Sequence, residues 1–291
     1  MDLTSFAREV GGVNDGPVAI AGLSTRGGAL AGCRVVAAPG GIESIQPDEM
    51  IVHCGAGTAV VDLNQALAAV GQCVALPASG TVGGALACGL SDTRRLGYGP
   101  IRDALLQAHY VSATGRVVKA GGPTVKNVSG FDLCRLLVGS QGSLGFLGHV
   151  ILRTRPLAAV SQWFSTVAHP WVTFATLYRP VSVLWDGTTT WALLEGHASD
   201  VAEQAALAGL TPADGSPALP DAHRWSVAPS TLRSMTITGA FVAEIGVGVV
   251  HRSDLAQPRK ADAAITALHK RLKHEFDPTL RLNPGVEPLS V

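Results

Sequence analysis

The stretch PASGTVGGALACGLSDTRRLGYGPIRDALL, residues 77–106, decides how this chain is read. It places glycine at 80, 83, 84, 89, 97 and 99, and the pattern continues at 115, 121, 122, 130, 139, 142, 145 and 148. These spacings are too irregular for collagen, and the glycines are too embedded in apolar residues for a flexible linker. Glycine lets a backbone take positive φ or approach a ligand with no Cβ in the way, and nearby Ser and Thr add N–H and hydroxyl donors suited to phosphate oxygens. The stretch therefore predicts a phosphate-bearing ligand lying close against the main chain.

Two common glycine motifs do not account for it. A P-loop needs GxxxxGK[ST], and no glycine here is followed by that lysine. A dinucleotide fingerprint needs GxGxxG between a strand and a helix. GAGTAV at 55–60 has only its first two glycines, and GSQGSLG at 139–145 follows a helix. What the chain offers is a set of separate loops, Gly22-Leu23-Ser24-Thr25 after one strand and Ser79-Gly80-Thr81-Val82-Gly83-Gly84 after another.

The 291 residues suffice for two domains. Lys plus Arg and Asp plus Glu number 22 each, so no basic surface marks a nucleic-acid or anionic-membrane partner. The five cysteines, Cys33, Cys54, Cys73, Cys88 and Cys134, form no CxxC pair and are expected as small buried hydrophobes in a reducing compartment. The N-terminus has no apolar run of signal-peptide length, and no uncharged apolar run reaches the ~20 residues that span a bilayer.

Short strands are expected from Pro17, at 34–39 and at 50–54, with a helix from Val60 to Val70 closed by Gly71 and apolar at Val60, Leu63, Leu67 and Val70. GGALACGL suits a short helix. DALLQAHYVSATGRVVKAG suits two strands joined at Ala113–Gly115, FDLCRLLVG a helix with Leu133, Leu136 and Leu137 inward, and LGHVILRTRPLA a strand ending at Pro156. Glycine thins out there and Trp163, Trp171, Trp185 and Trp191 follow, which sets a domain boundary near 157. Beyond it come a strand in WALLEGHA, a helix in SDVAEQAALAGL capped by Ser199, a strand or hairpin in FVAEIGVGVVH, and an amphipathic helix in ADAAITALHKRLKHEFDP with Ala264, Ile265, Leu268 and Leu272 on one side.

Taken in order, PVAIAGLST (17–25), PASGTVGGALACGLSD (77–92), YGPIRDALL (98–106), GRVVKAGG (115–122), KNVSGFDLCRLLVGSQGSLGFLGHVILRTRP (126–156) and FDPTLRLNPG (276–285) resemble the vanillyl-alcohol-oxidase (PCMH) type of FAD-linked oxidases. Within that family they are most similar to the E-type FAD-binding subunits of glycolate oxidase. The likeness extends to DGTTTWALLEG (186–196) and HRWSVAP (223–229). It implies an α+β chain: a PCMH-type FAD-binding domain of two α/β subdomains at 1–156, a smaller α+β cap or substrate domain at 157–275, and a tail at 276–291 that returns to the first domain. It also implies that Gly22, Ser24 and Thr25 form the first pyrophosphate loop and Ser79, Gly80, Thr81, Gly83 and Gly84 the second. Gly89 and Ser91 would line the flavin, Asp132 with Gly139, Gly142, Gly145, Phe146 and Leu147 would complete the enclosure, and Asn283 would reach the flavin. One departure bears on FAD binding, since Ala21 and Ser24 stand where the family has Arg and a further glycine.

Larger D-type relatives carry HxGxGxxH and a later Glu-His pair for a metal. Glu244–His251 aligns with the first motif but has Glu244 in place of its leading histidine, and no Glu-His element follows, so no catalytic metal is expected. His251 is the expected general base, because imidazole titrates near neutrality, and Arg252 or Arg233 the candidate holder of a substrate carboxylate. His53, beside a strand, is read as an ordinary histidine rather than a covalent flavin anchor. The expected activity is hydride transfer from a 2-hydroxy acid such as glycolate to FAD, with electrons passing to a D-type flavin subunit and an iron–sulfur electron-transfer subunit. The expected location is the cytoplasm, with membrane association only through partners. The competing reading is a non-catalytic structural or regulatory subunit of such a complex.

Overall fold

The computed structural model describes residues 3–25, 32–123, 132–220, 223–254 and 262–286. The chain divides into two units: Met1–Asp92 with Pro100–Leu157 and Arg259–Val291, and Thr93–Gly99 with Ala158–Pro258.

The first unit opens with α1 (Thr4–Val10), β1 (Val18–Ile20), β2 (Arg34–Val36), β3 (Ile42–Gln46), β4 (Ile51–Gly55), α2 (Val60–Ala68), β5 (Gln72–Val74) and α3 (Val82–Cys88). The short α4 (Arg95–Tyr98) belongs to the second unit, and the chain then returns to the first with β6 (Leu105–Val111), β7 (Val117–Gly121), α5 (Leu133–Leu137) and β8 (Phe146–Pro156). β8 is the centre of this unit. It pairs antiparallel with β4, β5 and β6 in a six-stranded sheet whose main path runs β3-β4-β8-β6-β7. Its first seven residues are all buried, because both faces of a central strand are covered, so it reads as a continuous apolar run rather than an alternation. On one face the core joins Val52, Cys54, Ala108, Val150 and Leu152 to Leu63 and Leu67 of α2, Val82, Ala85 and Leu86 of α3, and Cys134 and Leu137 of α5. α2 ends at Ala68, two residues earlier than its pattern predicts, and Val70 lies exposed beyond it. Leu133 and Leu136 are only partly buried against this core.

The parallel pair β1-β2 forms a separate small sheet, to which the chain's end adds: Val18 N–H donates to Arg281 O, and Asn283 N–H to Val18 O. α9 (Ala263–Phe276) belongs with this first unit, not with the second where the sequence boundary put it. Phe276 packs on the first core, and Lys273 donates to Ser143 O and Leu282 O. None of its residues is fully buried, and Ile265 and Leu268 are exposed.

The second unit holds β9 (Val160–Thr166), α6 (Pro170–Thr176), β10 (Ser182–Trp185), β11 (Thr190–Gly196), α7 (Ala198–Leu207), β12 (Thr211–Pro212), β13 (His223–Ser226), α8 (Pro229–Ser234), β14 (Phe241–Glu244) and β15 (Val249–Arg252). Its antiparallel sheet runs β12-β9-β11-β10-β14-β15-β13. One face carries Phe164, Val183, Ala192, Leu194, Phe241, Ala243 and Val250, packed with Val201 and Ala205 of α7 and Leu232 of α8; Trp171, Trp185 and Trp225 sit partly buried at its margins. The glycine-interrupted segment is a hairpin, β14 and β15 being joined through Gly246 and Gly248, both at positive φ. Ser199 is not the cap of α7. His197 holds that position, and the Ser199 hydroxyl bonds Asp200 Oδ1 inside the first turn.

Candidate functional site

The small-residue loops of the first unit converge on α3. Thr81 caps it, accepting from Gly84 N–H at 3.1 Å, while the N–H groups of Val82 and Gly83 donate to Thr58 O and Ala56 O. Gly83 and Gly84 are thus explained by packing on the protein itself: a Cβ at Gly83 would stand 2.9 Å from Ala56 Cβ, and one at Gly84 2.9 Å from Thr81 Oγ1. Across the loop, a Cβ on Gly22 would meet the same Thr81 Oγ1 at 2.9 Å, so the first and second loops touch. At the far end of α3, a Cβ on Gly89 would lie 2.9 Å from Gly139 Cα, and Gly139 and Gln141 donate their N–H groups to Leu86 O and Ala87 O. The third loop is pinned there.

What remains open on these loops is small and neutral. Gly22, Ser24, Thr25 and Ser79 are exposed, and Ser24 has φ 54°. Gly80 and Gly139 take φ 84°, and a Cβ at Gly139 would point into open space. Among the described residues these are hydroxyls and backbone amides, which suit a long diphosphate-linked cofactor gripped at several points.

Other residues expected to line a cofactor have different work. Phe146 has no accessible surface and packs with Leu3, Phe6 and Val10, so it is a core residue. Leu147 lies in the main core. A Cβ on Gly145 would strike Tyr110 at 2.5 Å, which explains that glycine by packing. Asp132 caps α5, accepting from Arg135 N–H and pairing with its guanidinium at 3.0 Å. Ser91 Oγ accepts from Ile101 N–H. Gly142, at φ 73°, faces the Asn283 amide, 2.7 Å from where its Cβ would stand. Asn283 itself is buried and tied at both ends of its side chain: Oδ1 accepts from Ile20 N–H and Nδ2 donates to Gln141 O.

In the second unit, register decides what meets His251. It lies directly opposite Val242 on β14 and Arg224 on β13. Opposed residues share a face, so Arg224, His251 and Glu244 line the face away from the apolar core. His251 Nε2 is 2.7 Å from Glu244 Oε1, and Arg224 Nη2 is 3.5 Å from the same oxygen. Glu244 is 1% exposed, and its Oε2 has no partner among the described residues. The two arginines favoured from sequence lie elsewhere. Arg252 alternates to the opposite face, stacks on Trp225 at 4.4 Å and pairs with Asp254, whose carboxyl this hydrogen bond holds below its usual range. Arg233 stands over Trp171 at 5.7 Å, beside an open pocket lined by His169, Val172 and Thr176. Arg224 was not legible as a site residue, because only the pairing of β13 with β15 brings HRWS onto VVHR. Among the described residues no three His, Cys, Asp or Glu side chains are grouped as a metal would need, and no helix is long and apolar enough to cross a membrane.

Residues 19–121 match the family model described as FAD binding domain. Over 128 residues the chain is 38% identical to glycolate oxidase subunit GlcE of Escherichia coli (strain K12), covering 42% of this chain and 37% of that one. Over 117 residues it is 35% identical to the D-lactate dehydrogenase of Archaeoglobus fulgidus, covering 38% of this chain and 26% of that one. The matches thus span well under half of these relatives' lengths. Its fold is shared with a solved alkyldihydroxyacetonephosphate synthase, at TM-score 0.62 and 13% identity, over 97% of this chain and 72% of the other. The match to the FAD binding domain indicates FAD as the cofactor.

Proposed function

We propose that this FAD-binding chain is a subunit of an oxidoreductase acting on the CH–OH group of a 2-hydroxy acid, with Gly22, Ser24, Thr25, Ser79, Gly80, Thr81 and Gly139 holding the cofactor. The reading is supported by its likeness to glycolate oxidase and D-lactate dehydrogenase chains. The observation that carries it into chemistry is the buried pair His251–Glu244 with Arg224 across the strand. FAD, when bound, supplies the two-electron acceptor. Glu244 Oε1 fixes the His251 ring through Nε2, which leaves Nδ1 to receive the hydroxyl proton. Arg224 places positive charge on the same face, where an anionic carboxylate benefits from it. In the complete complex a D-type flavin subunit and an iron–sulfur subunit would carry electrons onward.

The same buried network also suits a second reading, a subunit of such a complex in which Arg224, Glu244 and His251 only hold the sheet together. One experiment separates the two. The natively purified protein is expected to show a flavin spectrum and to oxidise glycolate or D-lactate with an artificial acceptor, alone or with its D-type partner. His251→Gln should lower kcat by about 10²–10⁴ with FAD content unchanged. Turnover indifferent to that substitution would leave the structural reading standing.

A further inference from the structure

The loops around α3 form a closed circuit. Gly22 packs on Thr81 at the start of α3, and Gly139 and Gln141 are pinned to Leu86 and Ala87 near its end. One link remains, from the third loop back to the first, and a residue more than a hundred positions away supplies it. Asn283 donates from Nδ2 to Gln141 O at 2.7 Å and accepts at Oδ1 from Ile20 N–H at 3.0 Å, two residues before Gly22.

The chain end is built to hold that amide still. Asn283 has φ 42°, a left-handed conformation that asparagine tolerates better than most residues. Its own N–H donates to Val18 O. Before it, Asp277 is fully buried and accepts from the N–H groups of Arg281 and Leu282 and from Lys273. Arg281 donates to Val10 O, Gly11 O, Gly16 O and Ala113 O. Lys273 also reaches Ser143 O, on the same side of the circuit as Gln141. Asp277, Arg281 and Asn283 therefore form a buried polar clasp, and Asn283 is the tip that joins two cofactor loops.

We propose that Asn283 is a positioning residue for FAD: its amide closes the ring of loops around α3 and sets their spacing, so that cofactor affinity depends on it although its side chain is committed to the protein backbone. This rests on the FAD-binding reading of the same loops. Both ends of the amide are needed, because a group that only accepts would set an oxygen against Gln141 O.

The test uses the full chain stripped of flavin and titrated with FAD, comparing wild type with Asn283→Asp, which keeps the backbone conformation and the Ile20 bond but loses the donor. Asn283→Asp is expected to weaken FAD binding by about tenfold or more, the consequence of setting an oxygen against the half-buried Gln141 carbonyl in place of its donor. It should also speed FAD release and blur the fine structure of the bound flavin's visible spectrum. Arg281→Lys, in the clasp but outside the ring, should lower the melting temperature of the apoprotein while leaving FAD affinity within about threefold. Should Asn283→Asp not fold, Gly142→Ala displaces the Asn283 amide without removing it and should weaken FAD in the same way. FAD affinity and spectrum unchanged in these variants while wild type binds tightly would overturn the proposal alone. A wild-type chain that takes up no FAD would overturn the FAD-binding reading with it.

Discussion

His149 shows how a single residue can set a pH response. It stands on β8 directly opposite His109 on β6, with its buried Nε2 lacking a partner among the described residues and its Nδ1 3.7 Å from Glu43 on β3. Burial pulls its pKa below the usual histidine value, with His109 adding to the effect and Glu43 opposing it. In the unfolded chain the imidazole titrates near 6.5, so as pH falls through that value the unfolded state takes up a proton that the folded state refuses. Stability is thus unaffected well above pH 6.5 and declines below it. Urea midpoints at pH 7.5 and 5.5 should show this decline in wild type and a shallower one in His149→Gln. An equal slope in both would place the response in other groups, of which His109, also lowered by burial, is the first candidate. Of the five cysteines expected to be buried, Cys54, Cys73 and Cys134 are, whereas Cys33 and Cys88 are half-buried; burial raises the Cys54 thiol to about 12 and Cys134 to about 11. Such thiols are neutral packing groups at physiological pH.

At the scale of elements, the glycines separate into those that serve backbone packing and those left for a ligand. The turn after β4 shows the first kind. A Cβ on Gly55 would lie 2.2 Å from Pro39 O, and one on Gly57 2.2 Å from Ala38 O, because this turn is pressed against residues 38–41 by backbone hydrogen bonds. Gly71, after α2, has φ 70° and open space around its Cβ position. Gly57→Ala should therefore destabilise by about 3 kcal/mol or more through overpacking against backbone. Gly71→Ala should cost only the left-handed conformation, about 1–2 kcal/mol. Equilibrium urea unfolding of the two variants checks the order. This division also marks the limit of the sequence reading. Strands β4, β6, β7 and β8 and helices α2 and α3 announce themselves by apolar runs and periodicity. α1 has no side-chain cap, the edge strand β3 alternates only weakly, and β5 is three residues long, so none of these carries a local signal. The presence of a cofactor was legible in the density of glycines. Which glycines face it was not, because that depends on which backbone lies 3 Å away.

For the whole molecule, the first unit is drawn from three stretches of chain, and its last stretch is joined to the rest by the apolar Phe276 and Leu282 and by polar contacts of Lys273, Arg281 and Asn283. The family resemblance implied that the tail returns to this unit. It did not show that Arg281 is 2% exposed with Val10, Gly11, Gly16 and Ala113 as its acceptors, because four carbonyls from three separate places leave no pattern in the sequence. Replacing this buried, hydrogen-bonded charge by an apolar group of similar length takes the Arg281 donor from Gly11 O, Gly16 O and Ala113 O, while Arg34 still donates to Val10 O, and Asp277 loses a nearby positive charge. Arg281→Met should accordingly lower stability by about 3–5 kcal/mol. The cofactor acts in the opposite direction. A ligand that binds only the folded state adds about 2.7 kcal/mol when present at 100 times its dissociation constant, and the loops that FAD is proposed to grip belong to the unit that Arg281 supports. Thermal unfolding of Arg281→Met should thus begin well below wild type and recover a large part of the loss in excess FAD. A substitution confined to the second unit's core, such as Leu232→Ala, should lower stability by about 2–5 kcal/mol. If the two units unfold separately, FAD should leave that second loss unrescued; rescue of both alike would mean that they unfold as one cooperative body.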